Sequence, residues 1–515
     1  MIGIMNNSAG HSIQYRCDGI ASFSTLGLAS LSASYVAQGS PITIPEACIQ
    51  ALPAPDPFLA SVNICHVQLS VNTTESSTTL LDMFLPEIWN HRFLGTGTGG
   101  LSGCVDLPTV NYGASMGFAT IGTNAGHDGL SGAPILHHPE MLADLIWRSI
   151  HTEAVVGKEL AHQFYGHPVS HSYYVGCSNG GRQGFRAAEQ FPDDFDGILA
   201  GHPGLKLLSL ASWLGLATQP GLAGQPGAMS PTDWALVHEQ TLKQCDTLDG
   251  KADRTIAYPE DCRFRPDALL CSKHNQQSCL SAAQVDGLRK LYSPAYLSSG
   301  ELLYPRYDPG AEHNGLVFNV TFSGQFPPLA LEAFRYLVYD NETWDPTTFS
   351  ISDVDYAVAA NRADAQTWTG DLRSFKKRGG KILTYHGTSD SLVPSGISPL
   401  QYKMTADATG HLSMDDWYAL YLVPGMDHCW NLGSTATGPW RFGQLGEIPE
   451  PRAAKNTSNY NAVLALVDWV EKGLQPELIG LTDEGEQRKL CRYPLKGQWI
   501  EGQWTCPPPS TVSFR

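Results

Sequence analysis

No stretch of apolar residues in this 515-residue sequence approaches the length needed to cross a bilayer. Basic residues are scarce: 33 Lys and Arg stand against 50 Asp and Glu, a formal charge of −17. That balance speaks against nucleic acid or an anionic membrane as a partner, because both repel an acidic surface. No Cys-x-x-Cys pair and no Cys/His ligand cluster occurs, which removes zinc as the reason for the cysteines. Glycine-rich stretches are present, but none ends in Gly-Lys-Ser/Thr, so a P-loop is excluded. Internal repeats are absent, and Pro507–Pro509 is the sole low-complexity tract. Met1–Arg16 has neither the basic start nor the apolar centre of a signal peptide, and Ala21–Ala37 is serine-rich and follows Cys17.

What is there describes a loop-rich, soluble globular protein: 42% apolar residues with 51 Gly and 34 Pro. The length calls for a large core domain plus an insertion or a second domain. Twelve cysteines, an even number, are too many for an ordinary cytosolic enzyme and are better explained as disulfides formed in an oxidising compartment. Secretion is therefore expected from the cysteines, with a leader that is missing from the sequence or mis-assigned in it. Sequons at Asn72, Asn319, Asn341 and Asn456 are compatible with that expectation.

The organising stretch is His171–Pro192. His171–Val175 is short, aromatic and β-branched, so it reads as a strand. Gly176-Cys177-Ser178-Asn179-Gly180 follows and fits Gly-x-Ser-x-Gly. Arg182–Gln190 then carries helix formers, with Phe185, Ala188 and Phe191 spaced for one buried face. Strand, glycine turn and helix in that order form the context of a nucleophile elbow. Small neighbours let the backbone take a strained turn, and the helix N-terminus supplies positive potential. An ordinary glycine-rich strand-to-helix connection is the plainer alternative.

Along the rest of the chain, β-like runs at Ser34–Val36, His66–Val71 and Thr79–Leu85 suggest an N-terminal sheet stapled to its loops by four cysteines between Cys17 and Cys104. Arg92–Cys104 starts as a strand and ends in a glycine-rich loop able to turn backbone N–H groups toward an oxyanion. Gly117–Gly126 is a second strand and loop, after which His127 either lines the site or caps a turn. Leu142–Phe164 has helical spacing and is expected as one long helix packed on the sheet. Asp196–Ala200 reads as the next strand, and the alternation predicts a mostly parallel sheet. From about Lys206 to Ala363 the rhythm changes, with helical patches at Trp234–Gln244 and Ala282–Tyr292 among Gly/Pro-rich turns. This is expected to be an inserted lid, residues 206–363, leaving 1–205 and 364–515 as the catalytic domain. Strands return at Lys381–His386 and Trp417–Val423, followed by an amphipathic helix at Tyr460–Lys472.

A serine nucleophile needs a base, and the base needs a carboxylate to hold its tautomer. In the α/β-hydrolase order these come as Ser, Asp, His, each on a loop after a strand. Asp390 lies four residues beyond Lys381–His386, and His428 follows Trp417–Val423. Alone, each would be a turn aspartate or a loop histidine; together they keep the required order. Cys177 precedes Ser178 and Cys429 follows His428. A bond between them would tie the nucleophile and base loops across about 250 residues, worth at most ~5 kcal/mol by chain entropy. Cys177 is not itself the expected nucleophile, because Ser178 holds the central position of the pattern.

Gly176-Cys177-Ser178-x-Gly-Gly-Arg182, Asp390 and His428-Cys429 resemble the CS-D-HC pattern of the tannase and feruloyl esterase family, within it the secreted fungal feruloyl esterase B type. The resemblance runs from about Cys17 to Cys506. It implies a secreted serine esterase with an α/β-hydrolase core, a mostly parallel sheet and a large calcium-binding lid. It also implies the pairings Cys17 with Cys65, Cys48 with Cys104, Cys177 with Cys429, Cys245 with Cys262, Cys271 with Cys279, and Cys491 with Cys506. Gly201-His202-Pro203 departs from the family, which more often has small residues there, and should alter the pocket.

Calcium rests on Cys245–Cys262, where Asp246, Asp249 and Asp253 offer three hard oxygen ligands and Gly250 permits a sharp turn. The spacing is not that of an EF-hand, and a solvated acidic loop is the alternative. The resemblance adds the backbone carbonyls of Lys251 and Thr255. Such an ion would be structural, because its ligands lie far in sequence from the catalytic loops.

The mechanism these residues suggest is acyl transfer: His428, held by Asp390, deprotonates Ser178, which attacks an ester carbonyl. The N–H of Asn179 and an amide near Gly99 and Gly100 are expected to form the oxyanion hole. The family implies esters of aromatic acids, free or linked to polysaccharide. A tannase acting on galloyl esters is the alternative within the family. A non-catalytic binding protein of the same fold is the alternative outside it, and would be expected to lack a triad member.

Overall fold

The computed structural model describes residues 12–25, 27–49, 57–272, 278–312, 315–366, 368–410, 414–429, 440–443, 457–482 and 485–508. The sequon at Asn456 lies outside these residues; Asn72, Asn319 and Asn341 are exposed.

Nine strands form one sheet: β1 Leu28–Val36, β2 Ile64–Asn72, β3 Thr78–Pro86, β4 Arg92–Thr96, β5 Ala119–Thr123, β6 His171–Cys177, β7 Gly197–Gly201, β8 Lys381–Gly387 and β9 Tyr418–Val423. Their spatial order is β1-β2-β3-β5-β4-β6-β7-β8-β9. The first three strands and the β3–β5 pair are antiparallel, and every pair from β5 through β9 is parallel. The predicted N-terminal sheet is therefore not separate. It is the antiparallel end of the main sheet, joined through the register Met83 to Ile121.

Burial follows from this layout. β1 alternates between exposed and half-buried residues, whereas β5, β7 and β9 are buried at every position. Parallel strands are linked by crossovers that cover both faces, so both faces must be apolar. Successive side chains accordingly serve two cores. Leu94, Tyr173, Leu199 and Leu383 pack on one face with Leu466 and Trp469. Phe93, Tyr174, Ile198 and Ile382 pack on the other with Ile150, Leu160 and Phe185.

Five helices matter for the site: α1 Leu107–Ser115, α2 Ser149–Tyr165, α3 Asn179–Gln190, α4 Leu207–Thr218 and α5 Ala462–Lys472. The single helix expected over Leu142–Phe164 is instead Pro139–Ala143, a π turn at Asp144–Arg148, and then α2. The cause is local. A π turn releases backbone carbonyls from the helical ladder, and those of Leu145 and Ile146 accept from Gln183 (2.8 Å) and Arg182 (2.9 Å) of α3.

Among the described residues, the segment between β7 and β8 adds no strand to the main sheet. It holds α4, the helices Pro231–Cys245 and Ala282–Leu291, and a small hairpin of Ala295–Tyr296 with Leu302–Tyr304. All six disulfides implied by the family resemblance are formed, and no cysteine is free. No helix is long and apolar enough to cross a membrane among the described residues.

Candidate active site

The parallel strands β6, β7, β8 and β9 end at one edge, and the loops that leave them converge there. Ser178 sits between β6 and α3 with φ 60° and ψ −120°, a strained conformation for a residue bearing a Cβ. Two glycines make the turn possible by close approach. A Cβ on Gly176 would lie 2.6 Å from the Gly180 carbonyl, and one on Gly181 would lie 2.4 Å from Gly201 O. The turn is clamped by Ser178 N donating to Gly201 O (3.0 Å) and Gly204 N donating to Ser178 O (3.1 Å).

Asp390 and His428 arrive on the loops after β8 and β9, as their order in the sequence predicts. His428 Nε2 is 2.9 Å from Ser178 Oγ, and His428 Nδ1 is 2.7 Å from Asp390 Oδ2. Ser178 is half-buried, His428 is 4% exposed and Asp390 is fully buried. Since a carboxylate only accepts, the proton of His428 is on Nδ1 and its Nε2 lone pair faces the serine hydroxyl. The loops are also tied to each other: Ser391 N and Oγ donate to Asp427 Oδ1, and Cys177–Cys429 bridges the loops that carry Ser178 and His428.

Burial alone would push the Asp390 carboxyl up, but the charge of His428 and hydrogen bonds from His202, His386 and His428 hold it well below the usual carboxylate range. Burial also lowers His428, yet the charge of Asp390, its hydrogen bond and the charge of Asp427 outweigh it, so His428 is raised above 6.5. The pair thus favours a fixed carboxylate beside a basic imidazole.

Asn179 is the first residue of α3, where helix N–H groups have no acceptor within the helix. The loop after β4, which contains Gly99 and Gly100, lies against it, for a Cβ on Gly180 would sit 3.3 Å from Gly97 Cα. Thr98 N is already committed to Gln183 Oε1 at 3.1 Å, and Arg182 Nε holds Asn179 Oδ1 at 2.8 Å. The structure therefore brings Asn179 and the Gly99–Gly100 loop to the edge where Ser178 stands. His127, for which two roles were open, donates from Nε2 to Leu101 O (2.9 Å) and braces that loop from behind.

Two further histidines stand beside the triad: His202, singled out in the sequence only as a departure from the family expected to alter the pocket, and His386, which carries no motif. His202 Nδ1 lies 2.8 Å from Asp390 Oδ2, and His386 Nε2 lies 3.2 Å from the same oxygen. The available signal was positional, because both residues stand at the C-terminal ends of parallel strands. His202, His386 and Asp390 form the one group of three such side chains among the described residues with ligand atoms all within 4.8 Å. Oδ2 also accepts from His428, so a metal there would have to displace His428.

In the segment expected to bind calcium, Cys245–Cys262 closes a loop carrying Asp246, Asp249 and Asp253. Asp246 Oδ1 accepts from Thr255 N and Asp249 Oδ1 from Lys251 N, both at 3.1 Å. Asp249 and Asp253 are buried, and burial with the neighbouring carboxylates pushes Asp253 up to about 6.

A family profile described as "Tannase and feruloyl esterase" matches residues 65–507. The chain is 38% identical to a probable feruloyl esterase B-1 of Aspergillus flavus over 467 residues, 87% of each chain. It is 35% identical to feruloyl esterase C of Talaromyces stipitatus over 518 residues, 97% of this chain and 95% of that one. The crystal structure of feruloyl esterase B from Aspergillus oryzae superposes with a TM-score of 0.89 at 36% identity, covering 96% of this chain and all of that one. A tannin acyl hydrolase from Aspergillus niger shares the fold, with a TM-score of 0.75 at 21% identity over 97% and 96% of the two chains. With the strand-end triad in place and these likenesses spanning nearly its whole length, the chain belongs to the tannase and feruloyl esterase family.

Proposed function

We propose that this protein is a secreted serine esterase that hydrolyses esters of plant phenolic acids, of the feruloyl type. The single observation that carries the reading is the relay Ser178–His428–Asp390, with both hydrogen bonds at 2.9 and 2.7 Å, inside this family. Two lines support the substrate class: the relatives named as feruloyl esterases at 35–38% identity, and the 0.89 TM-score with feruloyl esterase B. Six disulfides support export to an oxidising compartment.

His428 Nε2 takes the proton of Ser178 Oγ as Oγ attacks the ester carbonyl carbon. The developing oxyanion would be met by the N–H of Asn179 and of Gly99 or Gly100. Collapse breaks the ester C–O bond, and His428 passes its proton to the leaving alcohol. Water, deprotonated by His428, then attacks the acyl carbonyl carbon; the bond from that carbon to Ser178 Oγ breaks, His428 returns the proton to Oγ, and the aromatic acid leaves. Residues 206–363 would act as the lid, since α4 begins three residues beyond Gly204, which is bonded to Ser178. Polysaccharide-linked esters would enter at this edge.

The loop residues fit a structural Ca²⁺ by donor chemistry, three hard carboxylates on one disulfide-closed loop, two of them buried and one of these paired with Arg488 at 3.4 Å. Asp246, Asp249 and Asp253 would hold it together with the carbonyls of Lys251 and Thr255. The ion would offset their mutual repulsion and take no part at the reacting atoms.

A fluorophosphonate probe should label the wild type and leave Ser178→Ala unlabelled. Initial rates should be higher on methyl ferulate than on methyl gallate. An unlabelled wild type sinks the serine-esterase reading, and preference for the gallate moves the substrate class to galloyl esters.

A further inference from the structure

Asp390 answers to more than one histidine. His202 sits in the turn that leaves β7, and that turn is fastened on both sides to the nucleophile: Gly201 O accepts from Ser178 N and Gly204 N donates to Ser178 O. Its own N–H donates to Tyr385 O of β8 at 2.8 Å. Its side chain then crosses to the acid loop and puts Nδ1 2.8 Å from Asp390 Oδ2, with both side chains fully buried. One four-residue turn therefore touches the nucleophile through its backbone and the catalytic carboxylate through its side chain. The backbone at His202 has φ 40°, a cost for a residue with a Cβ that the surrounding bonds sustain.

The protonation state follows from the contacts. The carboxylate accepts only, so the proton of His202 is on Nδ1. Nε2 is buried and has no hydrogen-bond partner among the described residues, a place where a second proton would be costly. Burial accordingly drives His202 down to about 3, and the ring stays neutral at working pH. It stands edge-on to His428, with ring centroids 5.5 Å apart at 82°.

We propose that His202 is a positioning residue of the triad: its neutral Nδ1–H, shared with His428 on one oxygen of Asp390, fixes that carboxylate and moderates the basicity of His428. This rests on the serine-esterase reading above. The sign is set by competition. A donor on Oδ2 draws off part of the negative charge that would otherwise stabilise the His428 imidazolium. Removing the donor should raise the affinity of His428 for a proton and loosen the carboxylate. Other groups facing the pair are His386 from β8, Asp427 on the base loop, and Asp308 and Tyr304 from the insertion. None of these is changed by substitution at 202.

The test compares full-length wild type, His202→Ala and His202→Asn. Each is titrated with a fluorophosphonate so that rates are counted per reactive Ser178. Asn tolerates positive φ and can present a side-chain N–H where Nδ1 stands. The Ala variant should lose about ten- to a hundredfold in kcat with KM within about twofold, as for a hydrogen bond to a charged group. The acid limb of its kcat/KM profile should move up by about half a pH unit. The Asn variant should regain most of the rate and return the limb to its wild-type position. An Ala variant with wild-type kcat and limb overturns the proposal, and so does equal loss in both variants with an unmoved limb, the mark of packing alone. Absence of Ser178 labelling in the wild type is a separate result that removes the esterase reading itself.

Discussion

The two ends of the sheet are built on opposite plans. At the antiparallel end, β1 to β3 show one face to solvent and are pinned by Cys17–Cys65, which ties the helix Ile13–Asp18 to β2. At the parallel end, β6 to β9 are covered on both faces, and their exits carry Ser178, His202, Asp390 and His428. Of the disulfides Cys17–Cys65 and Cys177–Cys429, one at each end, only the second joins the neighbours of Ser178 and His428. The same covalent device closes a chain loop at both ends, and only at the parallel end does it also stand beside the Ser178–His428 contact. Parallel strands all point their C-terminal ends to one edge, so residues far apart in sequence meet there; antiparallel hairpins return the chain locally and gather no such edge.

Removing each staple should break that comparison most visibly. Cys177→Ser with Cys429→Ser opens a loop of 252 residues, and chain entropy puts the cost near ~5 kcal/mol. Its kcat per titrated Ser178 should fall by more than about tenfold, because the base loop loses its tether to the elbow. Cys17→Ser with Cys65→Ser opens 48 residues, costs about 4 kcal/mol by the same relation, and should leave kcat per site within about twofold. Denaturant melts and active-site titration measure both; equal effects on kcat would erase the distinction.

Chelation sharpens the contrast from a third region. Adding EDTA to the purified protein should lower Tm by about 3 °C or more, as expected when a ligand that binds only the folded state is withdrawn, and Ca²⁺ alone should restore it. The rate on methyl ferulate well below Tm should stay within about twofold. An unchanged Tm removes calcium from the loop Asp246–Thr255, and a lost rate would place it nearer the chemistry.

The smallest effect concerns pH and is confined to the parallel end. His428 is raised above 6.5, so kcat/KM should fall as pH drops through a value above 6.5, when the base becomes protonated. For stability the sign is opposite: a raised histidine stabilises the fold below 6.5 and loses that contribution as pH rises through its folded value. Asp390, held low, stabilises above 3.8 and loses its contribution as pH falls through its folded value. An acid limb below 6.5 would contradict the balance of burial and charge at His428.

Much of this was legible along the chain because it is local. Gly176-Cys177-Ser178-x-Gly needs only neighbouring residues to make its turn, and the strands before Asp390 and His428 announce themselves by composition. Less was legible where an element answers to a distant partner. The π turn at Asp144–Arg148 serves Gln183 and Arg182, and the spacing of Leu142–Phe164 carries no trace of it. The β-like runs before Pro86 were readable as strands, but their joining to β5 was not, since pairing across the chain leaves no mark on either partner alone.

The order of residues by itself determined the nucleophile elbow, the succession of serine, aspartate and histidine after strands, and the supply of cysteines for six bridges, because backbone sterics and strand propensity act between near neighbours. That His202 and His386 join His428 on Asp390 was decided only in three dimensions. His202 and Asp390 are separated by 188 residues, and the hydrogen bond between them exists because two parallel strands end side by side and bury both side chains fully.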